Sequence, residues 1–143
     1  MRVLGIDFGE RRVGLAISDE SATLARPLRT VPRGASDSQL VADLASEIDR
    51  LNRQDGVDSI VLGLPLRLDG TATDLTGRVR ALARALADRT GMPVVLQDER
   101  LTSHEADERL AFGERDWRKR KRKLDAAAAA VILQDYLDER RRR

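Results

Sequence analysis

The sequence predicts an α/β domain in which a five-stranded mixed sheet carries helices on both faces. Short apolar segments typical of strands are interspersed with amphipathic segments whose apolar residues recur at helical spacing. The first three strands follow one another directly, as in an antiparallel meander, whereas each later strand follows a helix, which permits parallel pairing. The chain has 143 residues, 41% of them hydrophobic, enough for one domain over residues 1–143 with a substantial core.

The first half of the chain predicts three strands and then one helix. The strands lie at residues 2–8, 12–19 and 27–31. The first two form a hairpin, because charged and glycine residues separate two apolar runs. A helix begins at Ser36 or Asp37 and ends at Gly56, since an apolar stripe with helical spacing lies between them.

The second half alternates strands with helices. The strands lie at 58–64 and 93–97, and the helices at 75 to about 90, 102 to about 112, and 126 to about 139. Both strands are expected to be buried, and Thr102 with Glu105 has the spacing of a capping box. Residues 113–123 are predicted as a basic loop, with Asp125 opening the last helix. The resulting order, β-β-β-α-β-α-β-α-α, is that of the ribonuclease H-like fold.

Charge is distributed unevenly along the chain. The net charge is only +2, yet 35% of the residues are charged. One uninterrupted basic run comprises Arg118, Lys119, Arg120, Lys121, Arg122 and Lys123. Such a block predicts a polyanionic partner, most simply nucleic acid, and the alternative is a solvated basic loop.

Several classes of protein are excluded by composition. The chain lacks cysteine, which excludes a disulfide scaffold and thiolate metal sites and is compatible with a reducing cytoplasm. It also lacks a signal-peptide core and an apolar run of about 20 residues, so neither secretion nor a membrane helix is expected.

Three acidic residues stand where the predicted elements meet one edge of the sheet. Asp7 lies inside the first strand among apolar and glycine residues, Glu99 follows the last strand, and Asp125 precedes the last helix. Converging carboxylates repel one another, and a divalent cation with a preference for hard oxygen ligands, Mg²⁺ or Mn²⁺, relieves that repulsion. Two such ions would activate a water and stabilise the leaving oxygen of a phosphodiester.

Each acid also has a purely structural interpretation. Asp7 could pair with Arg11 or Arg12, Glu99 with its neighbour at position 100, and Asp125 could simply favour a helix N-terminus. Because adjacent strand residues point to opposite faces, only one of Asp98 and Glu99 should face Asp7, and Glu99 is preferred.

The motifs taken together resemble the YqgF/RuvX family over nearly the whole chain. They are Gly5-Ile6-Asp7-Phe8-Gly9 with Arg12 and Gly14; Gly63-Leu64-Pro65 with Gly70; Asp98-Glu99-Arg100-Leu101-Thr102-Ser103; and Asp125-Ala126-Ala127-Ala128 with Ile132-Leu133-Gln134 and Tyr136-Leu137. The resemblance implies a ribonuclease H-like fold related to Holliday-junction resolvases. It further implies a cytoplasmic nuclease that matures the 5′ end of pre-16S rRNA in ribosome biogenesis. The matching catalytic and metal-binding acids would be Asp7, Glu99 and Asp125.

The leading functional hypothesis is a metal-dependent nuclease acting on structured RNA. A branched-DNA nuclease and a non-catalytic ribosome-assembly factor are the alternatives, whereas an ATP-dependent phosphotransferase would need a second lobe that the chain is too short to supply. Arg12, the basic run and Arg67, in the polar loop after the fourth strand, are the predicted nucleic-acid contacts.

Overall fold

The computed structural model describes residues 1–9, 11–99 and 117–142, and for 117–124 it describes the course of the backbone only. The elements are β1 (Arg2–Phe8), β2 (Arg12–Ser18), β3 (Ala25–Pro32), α1 (Asp37–Asp55), β4 (Val57–Leu64), α2 (Asp74–Thr90), β5 (Val94–Asp98) and α3 (Trp117–Arg141). The strands form one sheet in the order β3-β2-β1-β4-β5. β1 pairs with β2, and β2 with β3, in antiparallel fashion, whereas the β1–β4 and β4–β5 pairs are parallel. The predicted five-stranded mixed sheet is therefore confirmed.

The alternation of side chains along β1 divides the core between the two faces of the sheet. Leu4, Ile6 and Phe8 pack with α1 and α2 on one face. Val3 lies in a second apolar cluster on the other face, formed with α3. Helices thus cover both faces, as predicted, and the odd-numbered positions of β1 look toward α3.

Local sequence fixes the ends of α1 and α2. The Ser36 hydroxyl caps α1 by accepting from the Gln39 amide, and Thr73 caps α2 through a capping box. Gly56 and Gly91, with φ of 75° and 71°, end the two helices in a conformation that other residues rarely adopt.

The start of α3 corrects the sequence prediction. The helix begins at Trp117, so the part of the predicted basic loop from Trp117 onward is helical, and Asp125 lies in the third turn rather than at the start. Lysine and arginine are good helix formers and no glycine or proline interrupts the segment, so the basic run extends the helix instead of breaking it. The helix predicted at residues 102–112 lies outside the described residues.

The last strand, β5, is less buried than predicted. It pairs only with β4 within the described part of the chain, and Val95 is 36% exposed. A strand at the edge of a sheet keeps one side open, which the apolar sequence alone does not reveal. The described helices include none that combines the length and apolar character needed to cross a bilayer.

Candidate active site

Asp7 lies near the end of β1 on the face that α3 covers, and only 9% of it is exposed. Its partner in β2 is Gly14. On the other side Ile6 pairs with Leu62 of β4, so Gly63 follows at the next position of that neighbouring strand. The acid is therefore flanked by glycine on both sides, which leaves space above the sheet for other groups.

Two of the predicted acids occupy that space. A side chain at Gly14 would collide with the backbone carbonyl of Asp125, and one at Gly63 would collide with the Oε2 atom of Glu99. The Gly14 contact brings α3 directly onto β2, and the Gly63 contact lets the Glu99 side chain lie across β4 toward Asp7. The structure thus brings Asp7, Glu99 and Asp125 together at one end of the sheet.

The Asp7 and Glu99 side chains are joined by a hydrogen bond, and burial dominates their ionisation. Burial and the neighbouring charge of Asp7 raise the pKa of Glu99 to about 9. Burial also raises the pKa of Asp7, with a smaller contribution from the charge of Asp125, while the hydrogen bond from Glu99 opposes the increase. Glu99 therefore keeps its proton near neutral pH and donates a hydrogen bond to the Asp7 carboxylate.

The guanidinium group of Arg12 orients the Asp125 side chain. The Arg12 Nε atom lies 3.4 Å from Asp125 Oδ2, and both side chains are about one-fifth exposed. Arg12 therefore engages Asp125, whereas pairing with Asp7 was one of the structural interpretations considered for it. The structural interpretation of Asp125 as an acid at a helix N-terminus is wrong, because the residue lies two turns into α3.

The remaining predicted site residues are placed differently. Asp98 ends β5 and is exposed, whereas Glu99 turns toward Asp7, in keeping with the alternation of a strand. Arg67 is exposed in the loop after β4, and its guanidinium donates to the carbonyl of Ala72 at 2.8 Å, which braces the loop. The side chains of the basic run, Arg118 to Lys123, lie outside the described residues, although their backbone forms the first turns of α3.

The donor chemistry of the three acids fits a hard divalent cation. All three offer carboxyl oxygens as ligands. Asp7 and Glu99 already share a proton, and a cation could bind in place of that proton. As they stand, the side chains that the structure describes include no set of three or more acids or histidines grouped closely enough to hold a metal. Binding of a cation would therefore require loss of that shared proton and a closer approach of the carboxylates to one another.

A family model described as the Holliday junction resolvase RuvX matches residues 1–139. The chain belongs to the RuvX family. Relatives described as candidate pre-16S rRNA nucleases include one from Syntrophus aciditrophicus, 42% identical over 96% of this chain and 89% of its own length. Another, from an Anaeromyxobacter species, is 46% identical over 98% of both chains. The family model and these relatives carry nuclease descriptions, which support a nuclease activity for this chain.

Solved structures confirm the ribonuclease H-like fold of this RuvX chain. The Holliday-junction resolvase RuvC of Thermus thermophilus, in complex with its junction, superposes with a TM-score of 0.57 at 18% identity, covering 99% of this chain and 96% of that one. The yeast mitochondrial resolvase Ydc2 gives 0.53 at 17% identity, covering 94% and 77%.

The sequence did not reveal which residues make room for the site. In the sequence Gly63 is recognisable only as part of a motif, yet it is the residue that lets Glu99 cross β4 toward Asp7. The signal was present as a glycine within an otherwise apolar strand, which indicates close approach of another group. What approaches could not be read from the sequence, because Glu99 belongs to a different strand end.

Proposed function

We propose that this RuvX-family protein is a nuclease that depends on Mg²⁺ or Mn²⁺ and hydrolyses phosphodiester bonds of structured RNA. Its proposed substrate is pre-16S rRNA, trimmed at the 5′ end during ribosome biogenesis in the cytoplasm. The observation that carries the proposal is the buried Asp7–Glu99 pair with Asp125 beside it, at one end of the sheet.

The chain provides a rigid support for this chemistry. β1 fixes Asp7 between two glycine positions, and α3 delivers Asp125 over Gly14. When bound, divalent cations would activate a water and neutralise the leaving oxygen. Asp7 and Glu99 would hold the cation through their carboxylate oxygens, and the cation would relieve the repulsion between the two ionised groups.

The choice of RNA rests on the relatives. The curated relatives carry names that refer to pre-16S rRNA. The family description refers to Holliday junctions, and this supports branched DNA as the second candidate substrate. The exposed Arg67 and the basic run in the first turns of α3 are proposed to hold backbone phosphates of either substrate.

The experiment compares substrates and metals in one assay. Purified protein is incubated with a precursor 16S rRNA leader or with a four-way DNA junction, each with Mg²⁺, Mn²⁺ or EDTA. We expect the leader to be cut in Mg²⁺ or Mn²⁺ but not in EDTA. Glu99→Gln should abolish cutting, because the amide binds cations poorly, whereas Glu20→Gln, a change at an exposed acid, should not.

The other outcomes identify the alternatives. Cleavage of the junction but not the leader would assign branched DNA as the substrate. Binding of the leader without metal-dependent cleavage of either substrate would contradict the enzymatic proposal and support a non-catalytic assembly factor.

A further inference from the structure

A cavity of about 360 Å³ lies beside the turn between β1 and β2. Its walls include the side chains of Arg11, Arg33 and Arg78, together with Ser36 and Asp37 at the start of α1. Three guanidinium groups face one carboxylate among these lining residues, so the cavity carries a net positive charge. Guanidinium groups match phosphate oxygens in geometry as well as in charge.

Contacts within the protein hold two of these arginines in place. The Arg33 guanidinium lies 4.3 Å from the centroid of the Phe8 ring and donates to the Gly9 carbonyl at 3.3 Å. Arg78 donates two hydrogen bonds to Asp37, at 3.0 and 2.8 Å. Fixed arginines lose little further side-chain entropy when a ligand binds.

The third arginine, Arg11, is connected to Arg33 through the backbone. The Arg33 amide donates to the Arg11 carbonyl at 3.1 Å, which fixes the β1–β2 turn against the segment that leads into α1. The Arg11 side chain is itself exposed beside the cavity. The Arg11 side chain can therefore turn toward a ligand without disturbing the packing of the core.

The cavity and the acidic site lie on opposite faces of the sheet at the same end of β1. Asp7 points to the α3 face, and the next residue, Phe8, packs on the α1 and α2 face beneath the arginines. Gly9 separates the two sites. A Cβ atom at this position would lie 3.6 Å from Asp125 Oδ1, and the carbonyl of Gly9 accepts a hydrogen bond from Arg33. A nucleic-acid strand that extends from the acids around the β1–β2 turn would reach the arginines next.

We propose that Arg11, Arg33 and Arg78 form a second phosphate site, which binds the backbone of the nucleic-acid substrate a few nucleotides from the bond that is cut. This inference rests on the proposed function, because the acids fix where the nucleic-acid strand begins its path toward the arginines. It adds a substrate contact on the face opposite the acids, so the nucleic acid would wrap around the sheet edge.

The test measures RNA binding in EDTA as a function of salt, so that it does not depend on cleavage. Arg11→Ala should lower the magnitude of the log–log salt slope by about 0.7 for single-stranded RNA, the loss of one phosphate contact. Asp37→Asn should act in the opposite direction and tighten binding, because it frees Arg78 from its ion pair. Arg53→Ala is the matched control: this exposed arginine lies at the far end of α1, about 24 Å away along the axis.

Substrate length identifies the source of the phosphate. The loss of affinity caused by Arg11→Ala should be present for a long RNA strand and absent for a dinucleotide, whose single phosphate cannot occupy the acidic site and the cavity at once. Competition by inorganic phosphate with no effect of RNA length would contradict the proposal and indicate a site for a free anion.

An unchanged salt slope for Arg11→Ala, together with an unchanged affinity for Asp37→Asn, on long RNA would also overturn the proposal. That result would leave the nuclease assignment standing if the same preparations still cut RNA. Conversely, loss of the nuclease assignment in the cleavage assay would not alter the binding slopes, so the two failures can be told apart.

Discussion

At the scale of single residues, the Asp7–Glu99 pair is costly to the fold. Two carboxyl groups share a buried position, and burial alone raises the pKa of each. Two apolar side chains would pack there without the penalty, so the pair favours a role in binding a ligand. The proton on Glu99 lowers the repulsion between the two carboxyl groups in the metal-free protein.

This proton makes the stability of the metal-free protein depend on pH. The pKa of Glu99 is 4.5 ordinarily and about 9 in the folded chain, so between these values the native state holds a proton that the unfolded state has lost. The contribution of Glu99 is therefore fully present below about pH 4.5 and is lost as the pH rises toward 9. In EDTA, the melting temperature of wild type should fall across this range by more than that of Glu99→Gln.

Glu20→Gln is the matched control for this experiment, since it removes an exposed carboxylate. It should follow the wild-type pH profile. Parallel profiles for wild type and Glu99→Gln would show that Glu99 titrates normally in the folded protein.

At the scale of elements, the contact between α3 and the sheet positions the site. Gly5 and Gly14 lie beneath the helix, where added Cβ atoms would press on Leu133 and on the Asp125 backbone. The alanine-rich stretch of α3 provides the complementary small surface, with Ala129 fully buried. Because the backbone of α3 contacts the sheet here, an outward shift of the helix would move Asp125 away from Asp7.

A methyl group at Gly14 should therefore reduce both stability and activity. Gly14→Ala forces α3 outward, and we expect a loss of about 1–3 kcal/mol in the free energy of unfolding, measured by urea denaturation, together with slower cleavage. Gly77→Ala in α2 is the matched control, since an added Cβ meets nothing within 4 Å, and it should stabilise by up to about 1 kcal/mol. Equal stability of the two variants would contradict the close seating of α3.

Most elements could be predicted because local signals agree with the fold. The apolar runs of β1 and β2 and the caps at Ser36 and Gly56 all appear where the sequence places them. The start of α3 could not be predicted, because a basic run has the same composition in a loop as in a helix. The exposure of β5 depends on sheet order, which is a property of the whole chain.

At the scale of the whole molecule, the strand order explains how distant acids meet. β1 lies at the centre, with β2 and β4 on its two sides, so groups carried by or lying over the neighbouring strands reach Asp7 from both directions. The three acids predicted to converge do lie near one another, but Asp125 reaches the site from the third turn of α3 and not from a helix start. The sequence did not predict the Arg12–Asp125 pair or the arginine cavity, whose members are far apart in the chain.

The central claim is that Asp7 is a catalytic metal ligand, and Asp7→Asn tests it most directly. Melting temperature in EDTA and in Mn²⁺ is measured together with Mn²⁺-dependent cleavage, for wild type, Asp7→Asn and the control Asp88→Asn, which changes an exposed acid in α2. In EDTA, Asp7→Asn should melt at or above wild type, because the cost of burying a charged carboxylate is removed. It should gain no stability from Mn²⁺ and should cleave at least about a hundredfold more slowly, while Asp88→Asn behaves as wild type. An Asp7→Asn protein that melts lower than wild type yet cleaves at the wild-type rate would contradict the claim.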